Sequence, residues 1–85
     1  MIRTLNLTLH RKWFDQIVSG EKRIEFREMK SYWNTRIEGR SYDEIRFTNG
    51  YRASAPFVRV EYLGYYTSGN HYCLKLGKVL EVFIP

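Results

Sequence analysis

The sequence predicts one α+β domain spanning residues 1–85, in which about five strands form a small curled sheet or barrel with one or two short flanking helices. Its length of 85 residues allows one domain with one small core. Segments with the two-residue alternation of strands recur along the chain, and one segment has clear helical spacing instead. Five strands in so short a chain favour a curled sheet or barrel, because that arrangement limits exposed strand edges.

The first half of the chain begins with a strand, a helix and a second strand. Residues 2–9 alternate between leucines and polar residues, which predicts a half-buried strand. In residues 11–19 the apolar side chains fall at helical spacing. Gly20 follows the last of them, where a left-handed helix stop needs glycine. A second strand is predicted over residues 22–28.

Residues 29–39 are ambiguous from sequence. A short helix here would direct Trp33 and Ile37 inward, since they lie four residues apart. Tyr32 and Arg36, also four apart, would then share the opposite, exposed side. We therefore expect a short helix that presents one aromatic and one basic residue to solvent.

The second half of the chain is predicted to be all strand. Glu44 and Arg46 alternate with apolar residues and are expected to point outward. An Asn-Gly turn follows this strand, and a loop is predicted at residues 67–70. Gly77 is a candidate bend in the last strand. The three strands are predicted over residues 42–48, 57–65 and 72–83.

Composition favours an anionic partner. Lys and Arg total 14 and Asp and Glu total 9, so the formal net charge is +5, and aromatic residues make up 16%. Nucleic acid is the commonest partner of basic domains, although small proteins also carry net charge for solubility alone. The single cysteine, Cys73, allows no intramolecular disulfide. No secretory signal or membrane-spanning segment is visible, so a cytoplasmic location without membrane contact is expected.

Metal and cofactor chemistry find no support in the sequence. The two histidines, His10 and His71, lie far apart and lack a cysteine or carboxylate at ligand spacing. We expect His10 to be an ordinary surface residue. No glycine-rich phosphate loop and no Ser-His-Asp or Cys-His pattern is present. No metal and no cofactor are therefore predicted.

A set of basic, acidic and aromatic residues in the first two-fifths of the chain suits nucleic acid. Lys and Arg contact phosphate, aromatic rings stack on bases, and a carboxylate accepts hydrogen bonds from base amino groups. Unpaired single-stranded bases match this set better than a duplex groove does. Trp13 and Trp33 are expected to pack in the core, given the area that an indole buries. The candidate binding residues are Lys12, Lys22, Glu25, Arg27, Tyr32 and Arg36.

The stretch GEKRIEFR joins the first helix to the second strand and concentrates much of this charge. Strand alternation directs Ile24 and Phe26 to one face and Glu25 and Arg27 to the other, with Lys22 at the corner. The simplest interpretation is a half-buried strand with a solvated charged face. In that case the charges form a structural surface network contributing roughly 0–1 kcal/mol per pair.

The same stretch fits the pattern G-x-K-x-x-E-x-R, with Gly20, Lys22, Glu25 and Arg27 at the four specified positions. Preceded by an amphipathic helix, it resembles the activating signal cointegrator homology (ASCH) domain of the PUA-like superfamily. The resemblance covers most of the chain, including the Tyr-Trp segment that follows the motif. It implies a small PUA-like β-barrel and a cleft, lined by the motif, that binds RNA or a nucleotide.

The resemblance also raises an enzymatic alternative. Acetylcytidine amidohydrolases of this superfamily use a lysine, a threonine three residues later and a distant glutamate. Lys22 matches the lysine, but Glu25 occupies the threonine position, so the hydroxyl nucleophile is missing. We therefore predict a binding module in which Glu25 either orients the cations or accepts from a base amine. A hydrolase on a modified nucleoside or a ribonuclease, with Lys22 and Glu25 as the working pair, is the alternative.

Overall fold

The computed structural model describes all residues from 1 to 85 and contains two helices and five strands. The elements are β1 (Thr4–Thr8), α1 (Arg11–Ser19), β2 (Ile24–Glu28), α2 (Ser31–Ile37), β3 (Glu44–Thr48), β4 (Phe57–Ser68) and β5 (His71–Phe83). The strands form one sheet in the order β1-β3-β4-β5-β2, curled into a half-barrel. β1 and β3 are parallel, and the other neighbouring strands are antiparallel.

The predicted small α+β fold with a curled, barrel-like sheet is confirmed at this level. One core of 13 buried residues draws on the sheet and on both helices. From α1 it receives Phe14 and Ile17, and from α2 it receives Ile37, each no more than 1% exposed. Both helices therefore pack on the sheet through the apolar stripe that their spacing predicts. No helix is long and apolar enough to cross a membrane.

The long β4–β5 hairpin gives the sheet its curvature. Its pairing register shifts at three places, between residues 59 and 60, 60 and 62, and 62 and 65. Such bulges bend a strand and increase its twist. Gly64 adopts φ 93° inside the last of them, a conformation that glycine takes without strain. The predicted bend at Gly77 lies in the same region, where an added Cβ would be only 2.8 Å from Oε1 of Glu61.

Several boundaries and one facing differ from the prediction. β4 continues to Ser68, so the loop expected at residues 67–70 is reduced to a tight turn. Glu44 is buried rather than outward in solvent, with 4% exposure. Its Oε1 lies 2.5 Å from Nη1 of Arg59, and its Oε2 accepts a hydrogen bond from the Thr4 hydroxyl at 3.2 Å. A cross-strand cation therefore allows this carboxylate to lie where an apolar residue is usual.

Tyr72 ties α2 to the sheet. Its side chain is 1% exposed, and its hydroxyl lies 2.6 Å from Oδ1 of Asn34 and also contacts Oε2 of Glu38. Both acceptors belong to α2 or to the residue that ends it. Burial raises the pKa of the Tyr72 phenol to about 12, and the contact with the Glu38 carboxylate adds to that increase.

This pKa makes the stability sensitive to alkaline pH. Because the folded-state pKa exceeds the ordinary value of 10.0, Tyr72 contributes stability that is present below pH 10.0 and is lost as pH rises towards about 12. The free energy of unfolding, measured with urea, should therefore fall more steeply with pH across this window in the wild type than in Tyr72→Phe. The control Tyr66→Phe, at an exposed position, should keep the wild-type slope. Equal slopes in the wild type and Tyr72→Phe would contradict this account.

Candidate functional site

β2 has its polarity reversed relative to an ordinary half-buried strand. Glu25 is 4% exposed, whereas its neighbour Phe26 is 54% exposed. The simplest interpretation, a solvated charged face, is therefore wrong for this strand. Buried carboxylates persist in proteins only when they are paired or hydrogen-bonded. The groups that compensate the Glu25 carboxylate are therefore the key to this part of the structure.

Glu25 lies between two cations. Its Oε1 is 3.3 Å from Nζ of Lys22, and its Oε2 is 2.6 Å from Nη2 and 2.8 Å from Nε of Arg27. The side chains are 13%, 6% and 18% exposed for Lys22, Glu25 and Arg27 respectively. Three residues of the motif thus converge, and the triad is far more buried than a surface ion-pair network.

The corner between α1 and β2 brings Lys22 to Glu25. Gly20 ends the helix at φ 84°, and its N–H donates to the carbonyl of Ile17. The Lys22 N–H then donates to the carbonyl of Gln16 at 3.0 Å, which folds the chain back on the helix. The Lys22 ammonium also donates to the Ile24 carbonyl at 2.7 Å. Lys22 therefore lies before β2, and the alternation of side chains along the strand does not fix the direction of its side chain.

Arg27 connects the two open edges of the half-barrel. β1 and β2 are the outermost strands of the sheet. Nη2 of Arg27 donates to the Thr8 carbonyl at the end of β1 at 3.1 Å. The guanidinium carbon lies 5.0 Å from the ring centre of Trp33, within the range of cation–π attraction. The edges are thus joined by one side chain rather than by a ladder of backbone hydrogen bonds.

A cavity of about 480 Å³ lies at this junction, within the size range of small-ligand sites. We call it the central cavity. His10, the N-cap of α1, lines it and makes no side-chain capping bond. Trp13 and Phe26 also line it and are 41% and 54% exposed. The lining residues are Thr8, Leu9, His10, Trp13, Lys22, Glu25, Phe26 and Arg27.

The central cavity offers hydrogen-bond donors and aromatic surface together. The Lys22 ammonium has three donors and makes one hydrogen bond, to the Ile24 carbonyl. Its Nζ also lies 3.3 Å from Oε1 of Glu25 and 5.5 and 5.3 Å from the ring centres of Trp13 and Phe26. Nη1 of Arg27 donates no hydrogen bond within the protein. Both oxygens of Glu25 already face cations. A ligand that carries an anionic group and a flat ring therefore matches this lining best.

Not all predicted binding residues belong to this cavity. Lys22, Glu25 and Arg27 do, whereas Lys12, Tyr32 and Arg36 are outside its lining. Lys12 places its ammonium 4.9 Å from the ring centre of Trp13, on the neighbouring helical surface. Arg36 places its guanidinium carbon 3.5 Å from the ring centre of Tyr32 and donates to the Tyr32 carbonyl. Tyr32 and Arg36 therefore contact each other rather than the motif.

The predicted binding residues leave out five residues of the lining: Thr8, Leu9, His10, Trp13 and Phe26. The expectation that Trp13 packs in the core is wrong, because it borders the buried stripe of α1 without belonging to it. The position of Trp13 beside the apolar stripe of α1 is the sequence signal that indicates an exposed ring. Trp33, by contrast, is partly buried and packs against the core as expected.

Comparisons with known proteins add no relative: no family model, no curated protein and no solved structure matches the chain. The ASCH resemblance therefore rests on the motif and its context alone. The fold brings together no group of three His, Cys, Asp or Glu residues placed to hold a metal ion.

Substitution of Glu25 tests the role of the buried triad. Removing one member of a buried ion pair costs roughly 3–5 kcal/mol, and the partial exposure of Lys22 and Arg27 places Glu25→Gln at the lower end, about 3 kcal/mol. The matched control is Glu28→Gln on the same strand, whose pairing with Lys30 at 3.5 Å is largely exposed. We expect that control to stay within about 1 kcal/mol of the wild type in urea unfolding. Equal losses would show that the triad is no more important than a surface pair.

Proposed function

We propose that this chain is a PUA-like domain of the ASCH type that binds RNA or a nucleotide-like ligand in the central cavity. One observation carries the proposal. Lys22 and Arg27 converge on a cavity that also presents the exposed rings of Trp13 and Phe26. The motif that suggested the family and the lining of the cavity therefore involve the same residues.

Each residue has a role that follows from its contacts. Lys22 and Arg27 keep donors unused by the protein, and these would bind phosphate oxygens or the acceptor edge of a base. Glu25 holds both cations in place, which favours the orienting role over direct contact with a base amine. Trp13 is 41% exposed and provides the ring on which an unpaired base would stack, in place of the Lys12 ammonium that lies 4.9 Å from its centre.

The overall charge supports an anionic ligand as well. A formal net charge of +5 attracts nucleic acid from a distance, and the local cations then fix its position. An anion without a ring would leave the exposed surfaces of Trp13 and Phe26 without a ligand contact. An apolar ligand would leave the Lys22 and Arg27 donors unsatisfied in a partly buried site. A nucleotide satisfies both requirements.

Binding should depend on salt and on Lys22. We expect the affinity for short single-stranded RNA to fall steeply as salt rises. Lys22→Ala should weaken binding about tenfold or more, since hydrogen bonds to charged groups contribute about 1.5–3 kcal/mol. Lys78→Ala removes the same charge from an exposed position outside the cavity and should have little effect. Fluorescence anisotropy measures all three.

A second variant guards against loss of folding. Trp13→Ala keeps the three charged groups of the triad and removes the exposed ring together with its contacts to the Lys12 and Lys22 ammonium groups, so it should also weaken binding while circular dichroism stays unchanged. Negligible affinity of the wild type even at low salt would overturn the proposal. Equal affinities for Lys22→Ala and Lys78→Ala would show that the central cavity is not the binding site.

The enzymatic alternatives draw less support from these contacts. The amidohydrolase pattern needs a hydroxyl three residues after the lysine, and Glu25 stands there with both oxygens facing cations. Lys22 is itself held by Glu25 and by the Ile24 carbonyl. We therefore favour binding without turnover.

Turnover can be tested directly. We expect acetylcytidine and a short RNA to be recovered unchanged after incubation with the intact protein, as judged by chromatography against authentic cytidine and cleaved RNA. Product that appears with the wild type and is lost in Lys22→Ala would instead establish the enzymatic alternative.

A further inference from the structure

We propose that the binding site extends on both sides of the central cavity and takes a single strand of nucleic acid at least three nucleotides long. This inference rests on the proposed function and specifies its ligand. The central cavity has one neighbouring depression at the β1–α1 junction and another at the β2–α2 junction. The geometry of these three cavities points to a strand rather than to a lone nucleotide.

Each flanking cavity shares lining residues with the central one, and the two share different residues with it. The first, about 280 Å³, shares Thr8, Leu9 and His10 with the central cavity, and we call it the Tyr51 cavity. The second, about 310 Å³, shares Phe26 and Arg27 with it, and we call it the Trp33 cavity. The flanking cavities share no lining residue with each other. Since each flanking cavity shares lining residues with the central one, we take the three together as the proposed groove, with the motif residues Lys22, Glu25 and Arg27 in its middle part.

Each part of the groove offers an aromatic ring. Tyr51 is 92% exposed at one end, and the Trp13 ring is 41% exposed in the centre. At the other end Trp33 lines the cavity beside the exposed His71. Tyr51 and Trp13 are exposed and Trp33 is partly buried. Aromatic rings at three consecutive positions are an arrangement on which successive unpaired bases stack.

Each part of the groove also offers a cation. Arg11 lines the Tyr51 cavity, Arg27 lines both the central cavity and the Trp33 cavity, and Lys30 lines the latter. The partners of the outer two are exposed: Arg11 pairs with Asp15 at 2.9 Å and Lys30 with Glu28 at 3.5 Å. Exposed ion pairs contribute little, so a backbone phosphate can replace the carboxylate at modest cost.

The repetition of ring and cation identifies the ligand class. One nucleotide would use the central cavity and would make no contact with Tyr51 or Lys30 in the flanking cavities. A duplex hides the base faces that the rings would need, so a single strand fits better. The recognised chemistry is a phosphodiester chain with unpaired bases, which single-stranded RNA and DNA share.

Affinity as a function of length tests the inference. The probes are uridine monophosphate, triuridylate and hexauridylate, with oligothymidylates of the same lengths, measured at one low salt concentration. We expect triuridylate to bind at least about tenfold more tightly than the monophosphate, with a smaller further gain for hexauridylate. The inference concerns the phosphodiester chain and the unpaired bases, which both kinds of probe share. The same dependence on length is therefore expected for the oligothymidylates, whether they bind as tightly as the oligouridylates or less tightly.

Substitutions at the ends of the groove provide the second measurement. Tyr51→Ala and Lys30→Ala should each weaken triuridylate binding about fivefold or more and should weaken monophosphate binding less. Both side chains are highly exposed, so neither change threatens the fold. The matched controls are Tyr66→Ala and Lys78→Ala, which remove an exposed ring and an exposed cation outside the groove and should change neither affinity.

The outcomes separate this inference from the proposed function. Equal affinities for the monophosphate and triuridylate, unaffected by Tyr51→Ala, would overturn the extended groove and leave the central cavity as a nucleotide site. Absence of binding by every probe would overturn both. A short polyglutamate peptide that binds as tightly as triuridylate, with the same loss in Tyr51→Ala, would overturn the assignment to nucleic acid.

Discussion

A carboxylate that lies inside the protein, that of Glu25, is the constraint on which the local architecture depends. Its burial is tolerated because two cations and their hydrogen bonds compensate for lost water. Meeting that requirement fixes three other features. The helix must stop at Gly20 so that Lys22 can fold back, β2 must turn its polar side chains inward, and Arg27 must reach across to β1.

The same requirement explains why a cavity exists at this place. A half-barrel leaves two strand edges, and a backbone ladder between β1 and β2 would have filled the space between them. Arg27 joins those edges through one hydrogen bond to the Thr8 carbonyl instead. A side-chain bridge keeps the strands apart, and the gap between them becomes a site lined by the bridging charges.

Sequence patterns predict the parts of this fold that obey local rules. The helical spacing of α1 and its glycine stop are recovered because they depend on neighbouring residues only. The inward facing of Glu25 and Glu44 is not, since alternation patterns place charged residues outside. Glu44 is buried because Arg59, on another strand, compensates it. That information lies in the tertiary pairing and not in the local pattern.

The residues of the candidate site also fall into those that the sequence predicts and those that only the tertiary structure reveals. Lys22, Glu25 and Arg27 were predicted together because the motif places them within one short segment. His10 and Trp13 join them only through packing of α1 beside β2, which spacing along the chain does not reveal. Tyr32 and Arg36 were grouped with the motif by composition, whereas helical geometry lets them satisfy each other. Closeness in sequence predicts the site correctly at the sharp turn between α1 and β2. It fails on α2, where Tyr32 and Arg36 contact each other.

The two buried carboxylates of the molecule have opposite electrostatic surroundings, and this difference identifies the side that favours anions. Glu44 and Glu81 share one cation, Arg59, whose pKa is raised, chiefly by its hydrogen bond to Glu81. That group carries one negative charge in excess. Glu25 has two cations to itself, so its group carries one positive charge in excess. Because that excess lies in a partly buried concavity, solvent screens it less than it screens charges on the open surface. An anionic ligand would therefore meet a more favourable field at the Glu25 group than at the Glu44 group.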